Sequence, residues 1–170
     1  MNIEKIQSLV LTKKIDSLYW EICNDTVFLS LNGHVIYMFP KNNLYLNLEN
    51  ITKSSLVKKA RELSMSPYRR ILEEFSPDNQ EYKQFHPTND IRILVEVSGK
   101  KVIKYESEDS GYKFFTKNYL DLFGKNIRVY SIPNNKQGTA VVYSQTYEKP
   151  IGIINPLRIR GINGWDWIWV

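Results

Sequence analysis

Asn32-Gly33 lies between two runs of alternating apolar residues, and this pair constrains the fold more than any other dipeptide in the chain. A two-residue hairpin of type I′ needs positive φ at both central positions, which Asn and Gly adopt at least cost. Before it, Val27, Leu29 and Leu31 recur every second residue; after it, a return strand runs from His34 to Phe39 and stops at Pro40. One step back, Leu18, Trp20 and Ile22 alternate with Tyr19, Glu21 and Cys23 until Asn24-Asp25 turns the chain. These spacings predict a three-strand meander over 18–39. Ahead of it, Ile3, Ile6, Leu9 and Val10 share one helical face with Asn2 as cap, and so short a helix needs a sheet to lie on.

A second unit of the same kind is predicted over 116–159. Thr116 caps a helix, Phe115 and Leu120 stand at staple positions, and Gly124 supplies the left-handed stop. Strands follow at Ile127 to Ile132, Thr139 to Tyr147 and Ile151 to Ile154, with turns at Asn134 to Gly138 and Glu148-Lys149-Pro150. Between the units, Leu44, Leu46 and Leu48 alternate as a fourth short strand. Residues 51–76 read as a helical insertion: Leu56, Ala60 and Leu63 mark one helical face, then Ser66 caps a second helix with Pro67 at its first position. Residues 77–90 read as a loop, with strands at 91–97, 102–105 and 112–115. The fold class expected is α+β: a single domain of largely antiparallel sheet, two helix-plus-meander units and a basic helical insertion.

The insertion is where the charge is. Lys53, Lys58, Lys59, Arg61, Arg69 and Arg70 stand against Glu62 alone over 53–70, an excess equal to the net charge of +5. Such a stretch suits phosphates, whose neutralisation releases counterions. It also suits a solvated helix face on which Arg69 and Arg70 pair with Glu73 and Glu74. The chain ends in Trp165-Asp166-Trp167-Ile168-Trp169-Val170. Residues 160–170 thus form an aromatic tail that either folds back on the domain or meets a partner, with Trp165, Trp167 and Trp169 as the contact residues.

Catalytic signatures are missing from the sequence. His34 and His86 have no metal-ligand spacing with each other or with Cys23, and there is no phosphate loop, nucleophile elbow or zinc-protease string. The expectation is a non-enzymatic protein with no cofactor, no metal and no small-molecule substrate. A charged start without a signal-peptide core, and no run of about 20 apolar residues, point to a cytoplasmic protein away from membranes.

The pattern resembles a single domain of the DNA sliding clamps of the bacterial β-clamp type, of the kind encoded by bacteriophages and mobile elements. Asn32-Gly33-His34-Val35, within Ile15 to Pro40, looks like the Asp-Gly-His/Arg turn of clamp-like proteins. Tyr119-Leu120-Asp121-Leu122-Phe123, Ile127-Arg128-Val129 and Ile153-Ile154-Asn155-Pro156-Leu157-Arg158-Ile159 look like the family's closing helix, strand and terminal segment. The resemblance implies that the two helices backing the sheet face DNA, with Lys5, Lys13 and Lys14 on or after the first and Lys117 and Lys125 flanking the second. It implies a ring of six such domains. Tyr119 to Phe123 is also similar to the short peptide by which partners bind such clamps, although its capping signals favour a buried helix.

Two functions follow. One is a clamp-like protein that holds DNA or a DNA-processing partner. The other is an inhibitor or adaptor that uses a clamp-like scaffold to bind a host nucleic-acid enzyme, a polymerase or nuclease (CRISPR-type effectors included), through the basic insertion or the tryptophan tail. A structural protein of a phage particle is the third reading.

Overall fold

The computed structural model describes residues 1–87, 101–107, 111–135 and 137–157. Helix α1 (Ile3–Thr12) leads into an antiparallel meander of β1 (Ile15–Cys23), β2 (Thr26–Leu31) and β3 (Val35–Pro40). A 3-10 turn (Lys41–Asn43) and helix α2 (Leu48–Ile51) carry the chain to β4 (Val57–Glu62) and helix α3 (Ser66–Glu74). Strands β5 (Gln84–Pro87), β6 (Val102–Ser107) and β7 (Gly111–Thr116) precede helix α4 (Lys117–Asp121). A second antiparallel meander follows: β8 (Ile127–Ser131), β9 (Ala140–Ser144) and β10 (Lys149–Ile154).

All ten strands join in one sheet, in the order β4-β1-β2-β3-β10-β9-β8-β5-β6-β7. Among the described strands only β1 and β4 pair in parallel. The class is mixed α and β, with an antiparallel sheet backed by helices. The two predicted turns of the first meander form with the expected backbone: φ is 49° and 62° at Asn24 and Asp25, and 54° and 67° at Asn32 and Gly33.

The meanders meet where β10 pairs with β3, through Gly152 with Tyr37, Ile153 with Ile36 and Ile154 with Val35. Gly152 makes that approach possible. A Cβ there would lie 2.2 Å from the Ile36 carbonyl oxygen and 2.5 Å from the Phe123 ring.

Side chains alternate across the sheet, and both sides are covered. On the first face, Ile6 and Val10 of α1 and Leu120, Leu122 and Phe123 of α4 and its exit share a core with Leu29, Tyr37 and Val142. On the second, Leu72 and Phe75 of α3 join Phe28, Ile36, Val141 and Ile153. Helices α1 and α4 therefore back the same face, and α3 lies on the opposite one. The contact of α1 with α4 is fixed by the backbone: the Asn2 N–H donates to the Leu122 carbonyl at 2.8 Å.

The helical insertion over 51–76 is not observed as such. Residues 57–62 are an edge strand, because Val57, Lys59, Ala60, Arg61 and Glu62 pair with Ile15, Ser17, Leu18, Tyr19 and Trp20 of β1. The Leu56, Ala60, Leu63 spacing fits a helix, but parallel pairing with β1 supplies Val57 and residues 59–62 with partners that a local pattern does not reveal. The second helix forms, with Met65 at the cap position, Pro67 in its first turn and no cap bond from Ser66. Leu44, Leu46 and Leu48 do not form a strand. The Tyr45 and Leu46 amides donate instead to the buried Gln7 side chain, at 2.9 and 3.1 Å. The expected loop at 77–90 contains β5, which pairs with β8. Thr116 makes no side-chain cap bond, whereas Phe115 and Leu120 are buried and Gly124 has φ +99° as expected. The strand expected at 91–97, Arg158 to Ile159 and the aromatic tail with Trp165, Trp167 and Trp169 lie outside the described residues.

Candidate nucleic-acid interface

The first helix places its cations by its own capping. Asn2 Oδ1 accepts from the Lys5 amide at 3.0 Å, which sets the start of α1 and leaves Lys5 exposed on its outer side. Ile6, Gln7 and Val10 take the inner side. Lys13 and Lys14 follow at the C-terminal end, both exposed. Lys125 is exposed just after Gly124, and a Cβ on Gly124 would lie 3.2 Å from the Met1 nitrogen. Lys5 and Lys125 thus sit near one end of α1, and Lys13 and Lys14 at the other. The rise along α1 separates Lys5 from Lys13 by about 12 Å. Lys117 is engaged by Asp121 one turn on in α4.

The remaining predicted cations lie elsewhere. Lys53 is exposed between α2 and β4. Lys58 pairs with Asp16 at 3.1 Å, both largely exposed, a contact worth little in water. Arg61 stands 5.6 Å over the Tyr19 ring, and Tyr19 packs against the second core. Lys59 is two residues away on the same strand, so it shares that side. Arg70 is exposed on α3. Arg69 does not pair with Glu73: its Nε donates to Glu21 Oε2 at 3.1 Å, because the start of α3 lies against Glu21 of β1, whose carboxylate also accepts from the Met65 amide. The structure divides the predicted set between the two faces, and no flat ligand reaches all of it at once.

Tyr119 to Phe123 is part of α4 and its exit, with Leu120, Leu122 and Phe123 buried, so it is not presented as an extended peptide. His34 lies next to the hairpin turn, its ring 6.2 Å from Tyr119. Among the described residues, no three His, Cys, Asp or Glu side chains converge as a metal site, and no helix is long and apolar enough to cross a membrane.

One feature was missed by the sequence reading: a cleft of about 200 Å³ between the start of α3 and the second face of the sheet. Tyr19, Ile36, Met65, Tyr68 and Ile153 line it. No local pattern marks it, because its walls come from segments far apart in the chain. No family model, curated protein or solved structure matches this chain.

Proposed function

We propose that this protein is a non-enzymatic, clamp-like DNA-associated protein of a phage or mobile element. The observation that carries the reading is that α1 and α4, each followed by a three-strand meander, back the same face of one continuous sheet. That is the arrangement by which a clamp-like domain turns two helices toward a duplex. Lys5 and Lys125 at one end of α1, with Lys13 and Lys14 at the other, suit phosphates on either side of a groove about 12 Å wide. Each phosphate neutralised contributes a salt dependence of about −0.9 in log–log slope.

Anisotropy with a labelled duplex tests this. Binding at low salt should weaken steeply as salt rises, and Lys5→Glu, Lys13→Glu, Lys14→Glu and Lys125→Glu together should abolish it. Lys59→Glu with Arg70→Glu should leave it unchanged. Affinity that stays flat with salt, or no duplex binding at low salt, would sink the DNA reading. A hexamer by solution mass supports encirclement, and a strict monomer at working concentration removes it.

The second reading is the inhibitor or adaptor that binds a host nucleic-acid enzyme. It is favoured by one observation: Lys59, Arg61 and Arg70 lie on the side of the sheet away from α1 and α4.

A further inference from the structure

We infer that the cleft between α3 and the second face of the sheet is a docking site for an acidic segment of a partner protein carrying one large apolar side chain. The cleft holds about 200 Å³, and a cavity of about 150 Å³ admits a benzene ring, so a single aromatic or leucine side chain fits. Its walls are mostly apolar, and two of its lining residues, Leu63 and Tyr68, each keep 38% of their surface exposed. Large apolar side chains left open beside a concavity mark a place where burial is still to be gained.

Charge selects the occupant. Arg61 caps Tyr19 on the rim, Lys59 projects to the same side, and Arg70 lies on the adjoining helix. Glu62 alternates to the other face with its partner Trp20. Glu21, the carboxylate on this side of β1, is already committed: its Oε2 accepts from the Met65 amide at 2.7 Å and from Arg69 at 3.1 Å. Glu73 and Glu74 stand in the last turn of α3, at the end away from Leu63 and Tyr68. The rim is therefore cationic around an apolar hole, which matches carboxylates flanking an apolar anchor. The Glu21 bonds also hold the start of α3 in place, so the cleft is formed before anything binds and little ordering cost remains.

This inference deepens the adaptor reading and is independent of duplex binding by the opposite face. The probe is a fluorescein-labelled peptide of alternating Glu and Asp with one central Phe, followed by anisotropy. Saturable binding is expected, at least tenfold weaker when Ser replaces the Phe or Lys replaces the acids. Arg61→Glu and Leu63→Asp should each weaken it at least tenfold with an unchanged melting temperature, while Lys13→Glu leaves it alone. Absence of saturable binding, or equal binding of the Ser peptide, would overturn the proposal. Displacement of the probe by a peptide spanning residues 158–170 would assign the cleft to this chain's own end. A dimer that Leu63→Asp dissociates would assign it to a second copy. Either result defeats the partner assignment but not the DNA reading.

Discussion

The Tyr37 hydroxyl donates to the Tyr119 backbone carbonyl at 2.8 Å, joining the last strand of the first meander to the helix of the second. Helix α4 is only 5 residues long, so its late carbonyls lack partners within the helix. Tyr37 satisfies one of them from a fully buried position. Tyr37→Phe keeps the ring and removes the donor, which should cost about 1–2 kcal/mol. Urea unfolding should show a lower midpoint with an unchanged slope.

Gln7 performs a similar task beneath α1. Its Nε2 donates to the Asn43 carbonyl at 2.9 Å, and its Oε1 accepts from the Tyr45 and Leu46 amides. The side chain is fully buried. Gln7→Leu strands a carbonyl and two amides and should destabilise by about 3 kcal/mol. Hydrogen exchange at the Tyr45 and Leu46 amides should accelerate more than exchange within the sheet.

Gly152→Ala tests the junction between the meanders. The added methyl has no space against the Ile36 carbonyl or the Phe123 ring. Overpacking of this kind costs about 1–3 kcal/mol, and backbone on one side leaves little room to relax. The expected reading is a lower melting temperature together with changed Phe123 ring resonances.

Alkaline stability has a predicted sign. Burial, and then the Asp121 charge, push the Tyr105 hydroxyl up to about 12, and burial raises Tyr37 further. The unfolded chain releases these protons from about pH 10. Above that point the folded state binds more protons, so stability is full below pH 10 and falls as pH rises through 12. Tyr105→Phe should make that fall shallower in urea titrations, with no change in slope below pH 9.

The turns were legible because their chemistry is local: Asn24-Asp25 and Asn32-Gly33 need positive φ and have it. The apolar face of α1 was legible for the same reason. Strand β4 was not. Lys58-Lys59 on an edge strand breaks the alternation that identifies strands, and the pairing partner lies some forty positions away in β1. Leu44, Leu46 and Leu48 alternate without pairing because Gln7, a polar residue with no sequence mark of burial, takes the amides a strand would have used. The cations were visible as charges, but their division between faces depends on where α3 crosses the sheet. Arg69 shows the difference, since Glu21 outcompetes the helical neighbours that spacing favours.

The β3–β10 junction also dictates an order of assembly. Strand β3 is complete by Pro40, yet its partner begins at Lys149, so more than a hundred residues must be synthesised before that margin closes. Until then the first meander exposes a hydrogen-bonding border rich in Val35, Ile36 and Phe39, which is the kind of border that pairs with the wrong chain. Closing so long a loop is slow relative to helix and hairpin formation. The growing chain therefore carries that open border until Gly152, Ile153 and Ile154 arrive to cover it.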